Sequence, residues 1–127
     1  MLRHEACWKT FGEIEKRLVI QNDGIQLLII TGPIFTSHSK EIPSHVFKIL
    51  SYCKTNTKTC DVLERHVSAF VIPNQESKNC EANSLILNNN IVTVRDIEHM
   101  TGIVFFPEIT DSKEYVHMKL TLNFIDT

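Results

Sequence analysis

Apolar residues recur at three- and four-residue steps from Trp8 through Phe11 and Ile14 to Leu18, with Glu13, Lys16 and Arg17 between them. That stripe predicts an amphipathic helix over Trp8–Gln21, one face buried and the other wet. Asn22-Asp-Gly24 ends it, because Asn and Gly suit a turn with positive φ. Beyond this turn the period changes. Ile25-Gln-Leu-Leu-Ile-Ile30 is short and rich in branched side chains, which predicts a buried strand stopped by Thr31-Gly-Pro33. Further strands are predicted over His45–Ser51 and Val67–Ile72. The second is halted at Pro73-Asn74, since a proline nitrogen has no proton to donate to a ladder.

Residues 74–84 are polar and without period, and read as a surface loop. Leu85-Ile-Leu87 reads as a short strand or helical turn, and Asn88-Asn-Asn90 as a polar turn. Thr93-Val-Arg-Asp96 has the form of a capping box. It predicts a short helix through Met100, with Val94, Ile97 and Met100 inward and Gly102 closing it. From Asp111 onward the chain reads as weakly extended. With no internal repeat, linker or low-complexity tract, residues 1–127 read as one domain of α+β class.

Charge narrows the function. Thirteen basic and fifteen acidic residues give a formal charge of −2, whereas a self-sufficient nucleic-acid binder usually carries a basic excess. Weak or no nucleic-acid binding is expected. Met-Leu-Arg-His-Glu-Ala-Cys-Trp8 lacks the apolar stretch of a signal peptide, and the longest apolar run, Leu27–Ile30, is too short to cross a bilayer. No Asn-x-Ser/Thr sequon occurs. Two readings stay open: a cytosolic protein, or a piece of a longer secreted chain.

Four cysteines stand at positions 7, 53, 60 and 80. Cys53 and Cys60 flank the polar run Lys54–Thr59, a natural loop for a local disulfide, which would contribute about 2–3 kcal/mol in the chain-entropy model. A zinc reading of Cys53, Cys60, His66 and Cys80 lacks any CxxC pair. Cys7 has no sequence neighbour that would activate it as a thiolate.

Four segments carry a family resemblance. Ile30-Thr-Gly-Pro-Ile-Phe35 resembles the strand-to-Gly-Pro segment of the DNA/RNA non-specific endonuclease superfamily. Residues 42–54 (Ile-Pro-Ser-His-Val-Phe-Lys-Ile-Leu-Ser-Tyr-Cys-Lys), Ala69-Phe-Val-Ile-Pro-Asn74 and residues 94–106 (Val-Arg-Asp-Ile-Glu-His-Met-Thr-Gly-Ile-Val-Phe-Phe) are similar to segments of the nuclease-like domain of ectonucleotide pyrophosphatase/phosphodiesterases. The resemblance implies the C-terminal part of a ββα-metal (His-Me finger) fold, a mixed sheet flanked by helices. It also implies a Cys53–Cys60 disulfide, and a Cys80 that bonds to a separate phosphodiesterase catalytic domain. That domain, or the N-terminal half of the nuclease fold, is the implied partner. Placement outside the cell, secreted or anchored, is implied likewise.

Working members of the superfamily use an Asp-Arg-Gly-His motif, whose His activates water, together with a divalent metal, magnesium or calcium. That motif precedes the segment with which this sequence opens, and no Arg-Gly-His occurs in the 127 residues. Loss of a general base costs a factor of roughly 10²–10⁴. The family's metal-binding Asn, four residues before the helix Trp, corresponds to His4. Its acidic partner, four after, corresponds to Gly12, with Glu13 adjacent. His4 and Glu13 are therefore the candidate metal ligands, and the bland reading is a solvated His near a terminus. The family's calcium loop corresponds to Thr36-Ser-His-Ser-Lys-Glu41, whose single carboxylate falls short of the oxygens calcium needs.

Glu98-His99 suggests an acid/base pair, but neighbours on a helix point about 100° apart, so His99 is expected to be exposed or capping. His45 is expected to pack or hydrogen-bond. The sequence thus predicts a degenerate module without catalytic residues or resident cofactor, serving a structural or interaction role. The alternative is a fragment of a metal-dependent endonuclease or phosphodiesterase whose catalytic residues lie upstream.

Overall fold

The computed structural model describes residues 27–36, 42–53, 60–73 and 90–124. The helix expected over Trp8–Gln21 and its closing turn lie outside the described residues, as do the loop 74–84 and Leu85–Leu87. So do His4, Cys7, Glu13, Cys80 and most of the 36–41 insert.

Four strands form one sheet in the order β1 (Leu27–Ile34), β2 (His45–Cys53), β3 (Arg65–Pro73) and β4 (Ile91–Val92). Every pairing is antiparallel. The class is α+β as expected, while the mixed sheet is corrected to an antiparallel one among the described residues. Antiparallel neighbours need no parallel crossover. Helix α1 (Val94–Thr101) follows β4. A single turn, α2 (Ser112–Tyr115), runs into a π-helical turn over Val116–Leu120.

Alternation along the strands sorts the two faces. Phe47 and Ile49 of β2 and Val67 and Ala69 of β3 point toward the helices. There they pack with Val94, Ile97, Phe105, Ile109 and Met118. Phe47 and Phe105 meet edge to face, with ring centroids 5.6 Å apart. Leu50, Phe70 and Ile72 form the core of the other face.

Thr31-Gly-Pro33 does not stop β1, which continues to Ile34. Nor is β1 buried: among the described residues it is an edge strand, with Leu28 and Ile29 both exposed. The edge position also accounts for the proline. Val71 N–H bonds outward to Asn90 O, so odd-numbered residues of β3 turn their backbone groups away from β2. Carried through the two registers, this puts the backbone groups of odd-numbered β1 residues on the outer edge. Pro33 therefore lacks a proton where no ladder bond is made, the place where a strand tolerates proline. Gly32 lies opposite Phe47 and leaves room for its ring.

The segment Ser112–Leu120 is helical, not extended, and extended backbone begins only at Thr121. Asp111 Oδ1 accepts from the N–H groups of Lys113 and Glu114, both at 3.0 Å, and so nucleates the turn. Alternating Val116, Leu120 and Leu122 are half-exposed, and only Met118 of that series enters the core. No helix of the described residues is long and apolar enough to cross a membrane.

A Cβ on Gly32 would stand 2.6 Å from the ring of buried Phe47. Gly32→Ala is expected to destabilise the fold by about 1–3 kcal/mol. Urea unfolding should show this as a lower midpoint at unchanged slope.

Candidate functional site

Helix α1 begins as its sequence predicts. Thr93 Oγ1 accepts from Asp96 N–H at 3.1 Å, and Asp96 Oδ2 accepts from Thr93 N–H at 3.0 Å. Gly102 closes it with φ of 74°. Its inward face is Val94, Ile97 and Glu98, however, and Met100 is 47 % exposed. The 94–97–98 spacing fits the helical period as well as 94–97–100 does. Reading by hydrophobicity alone selects Met100.

Glu98, 4 % exposed, is the one buried carboxylate among the described residues. Its Oε2 accepts from Lys119 Nζ at 2.9 Å and from Phe105 N–H at 2.8 Å. Its Oε1 accepts from Arg95 Nη1 at 3.0 Å. Lys119 is itself buried, its ammonium 5.3 Å from the Tyr115 ring centroid. Burial by itself would raise the Glu98 pKa. The Lys119 ammonium, the Phe105 N–H and the Arg95 guanidinium outweigh it and hold the carboxyl below the ordinary glutamate value. With both oxygens occupied, Glu98 is a structural anion and not an available base.

The sequence pair Glu98-His99 is separated: Glu98 points inward while His99 is exposed. His45 Nδ1 bonds Ser44 Oγ at 2.9 Å, in keeping with a hydrogen-bonding role. A Ser–His contact that sequence reading missed joins Ser68 Oγ to His66 Nε2 at 2.9 Å. Ser68, fully buried, gives its proton to Asn123 O at 2.9 Å. His66 must then donate to Ser68, the reverse of the arrangement that activates a serine nucleophile. His66 also stacks on Tyr52, with ring centroids 4.8 Å apart. His117 Nε2 donates to Arg65 O at 2.7 Å. Each of these three imidazoles is engaged in holding the fold.

The Cys53–Cys60 disulfide is formed, with Cα atoms 5.9 Å apart, and Cys60 leads into the 3-10 turn Val62–Glu64. Among the described residues no three His, Cys, Asp or Glu side chains come together as a metal-ligand cluster. The candidate ligands His4 and Glu13, and the candidate interdomain Cys80, lie outside those residues.

A cavity of about 160 Å³ opens beside the disulfide turn. Leu28, Val62, Phe106, Ile109 and Met118 line it, with Arg65 and Glu108 as its charged groups. Arg65 Nη1 donates to buried Ser51 Oγ at 3.1 Å. Phe106 has φ of 51° and precedes Pro107, a backbone conformation costing a bulky residue about 1–3 kcal/mol. Nothing in the periodicity singles out Arg65 or Lys119, because each is placed by contacts with residues distant in sequence.

Removing one partner of a buried pair strands the other, so Lys119→Met is expected to lose about 3–5 kcal/mol in chemical denaturation. The double variant Glu98→Gln, Lys119→Met should recover part of that loss. The pH sign follows from the depressed carboxyl. The contribution of Glu98 is complete above the unfolded-state value and is lost as pH falls through the lower folded-state value. Stability measured downward from pH 7 should therefore drop on the acid limb, and Lys119→Met should shrink that drop.

A sequence model of the DNA/RNA non-specific endonuclease family matches residues 4–112. The match contains all four strands, α1, the disulfide and most of the cavity wall. Lys119, His117 and Asn123, which brace that unit, come after it. The chain belongs to the DNA/RNA non-specific endonuclease family.

Proposed function

We propose that this chain is a degenerate, non-catalytic nuclease-like module with a structural or interaction role, of the kind carried by ectonucleotide pyrophosphatase/phosphodiesterases. The observation that supports this most is the burial of Glu98: the buried carboxylate among the described residues has a side chain 1 % exposed and is turned onto Lys119, Arg95 and the Phe105 N–H. A general base must come within hydrogen-bond reach of the proton it takes, and a carboxylate enclosed by the fold does not meet a substrate. The near-neutral charge of −2 points the same way. The fitting partner is a phosphodiesterase catalytic domain, reached through Cys80, or the N-terminal half of the nuclease fold.

The alternative rests on the family match itself: these residues as part of a metal-dependent endonuclease whose base lies upstream. The two readings separate in one assay. The purified chain is incubated with plasmid DNA, RNA and a nitrophenyl phosphodiester, each with magnesium, manganese or calcium. Turnover is expected to equal that of the His4→Ala, Glu13→Ala variant. Metal-dependent cleavage that falls by roughly 10²-fold or more in that variant overturns the proposal. Cleavage that appears only when a segment bearing Asp-Arg-Gly-His is added would favour the alternative.

A further inference from the structure

The cavity beside the disulfide turn has no part in that reading. We propose that it is a binding site for a small apolar monocarboxylate, with the carboxylate on Arg65. Its volume, about 160 Å³, is close to that of a cavity known to take one benzene ring. It is well below the roughly 300–1,000 Å³ of sites for drug-sized ligands. One ring or one branched aliphatic group fits, and a nucleotide does not.

The wall chemistry selects the rest. Val62, Phe106, Ile109 and Met118 offer an apolar seat, and the unbranched Met118 adapts to the shape of a guest. Arg65 is the cation, and it is anchored at two places. Ser51 Oγ takes one of its guanidinium protons, and His117 Nε2 holds its backbone carbonyl. A guanidinium presents five N–H donors in a planar fork matched to a carboxylate. With one donor spent on Ser51, the others remain to grip two oxygens. Glu108, exposed at the cavity, sets the charge limit, because a second negative charge on the guest would face this carboxylate. Phe106 holds its unfavourable positive φ where its residue forms part of the wall. Such strain is characteristic of places where structure is set for a ligand. The carboxylate can belong to a free acid or to the C-terminal residue of another chain, and the two sources share this chemistry.

The full chain, with ¹³C-methyl methionine, supplies its own control: Met118 lines the cavity, whereas Met100 is an exposed residue of α1 outside it. Benzoate is expected to shift the Met118 methyl resonance saturably, with Kd on the order of 1–10 mM for so small a guest, and to leave Met100 in place. Benzyl alcohol should bind more weakly, and phenyl phosphate more weakly still. Arg65→Gln should weaken benzoate about tenfold while leaving benzyl alcohol within about twofold, as loss of one charged hydrogen-bonding partner requires. Glu108→Gln should strengthen phenyl phosphate.

Arg65→Lys keeps the charge and loses the fork, and it serves if Arg65→Gln fails to fold. Benzoate should then bind with intermediate affinity. An acetylated peptide ending in phenylalanine, compared with its amide, separates the sources. Carboxylate-dependent binding tighter than benzoate indicates a chain terminus, and weaker binding indicates a free acid. The proposal is overturned if Met100 and Met118 shift alike, if no saturable shift occurs, or if the Arg65 variants leave the benzoate-to-alcohol ratio unchanged. None of these readouts depends on catalysis, so this proposal and the non-catalytic reading fail separately.

Discussion

A carboxylate inside an apolar core is tolerated only when its charge is met, and Glu98 meets this condition through three separate parts of the chain. Arg95 belongs to its own helix, the Phe105 N–H to the exit from that helix, and Lys119 to the π turn. The desolvation of two ions offsets much of their attraction, so the pair is not a large net source of stability. What it supplies is register. The wider π turn buries the adjacent residues Met118 and Lys119 together, one into the apolar core and the other onto Glu98. A turn rotated by one residue would bury the wrong side chain against a charge. The position of the C-terminal segment is thereby tied to α1, and through Val94 and Ile97 to the sheet.

The same segment also manages the sheet's open side. β4 pairs with β3 only at Ala69 and Phe70, leaving the first half of β3 with outward carbonyls at Arg65 and Val67. His117 Nε2 and Asn123 Nδ2 donate to those two carbonyls at 2.7 and 2.8 Å. Side chains thus stand in for a missing strand, satisfying polar groups that would otherwise lack partners. At the opposite edge, Pro33 interrupts the row of donors. The two edges are handled by different means, one covered and the other blunted.

Much of this was legible in the sequence because it is local. The strand cores of β2 and β3 follow from branched and aromatic runs. The start and end of α1 follow from Thr93, Asp96 and Gly102, each acting within four residues. The disulfide follows from a short polar loop between Cys53 and Cys60. What escaped was long-range. Gly32-Pro33 reads as a stop unless the outer edge of the sheet is known. Met100 reads as core unless Glu98 has a cation 21 residues away. The helical turn after Asp111 was missed although its signal was present, an Asp followed three residues later by Glu114. Val116, Met118, Leu120 and Leu122 alternate as a strand would, which masks that signal. The cavity has no sequence signature, since it forms where β1, the disulfide turn, residues 106–109 and the π turn converge.

The span between Glu98 and Lys119 also sets an order of events during synthesis. Chain emerges at roughly 5–20 residues per second, so Lys119 follows Glu98 by about one to four seconds. The β1–β2 and β2–β3 hairpins have all their residues before then. The helix lacks one of its partners: until the distant cation arrives, burying α1 would leave the Glu98 charge to Arg95 and the Phe105 N–H alone. Docking of α1 is thereby postponed, and the core on the helix side of the sheet closes last. A ribosome halted within that interval would hold a finished sheet with an open apolar face, the form of this chain most in need of a chaperone.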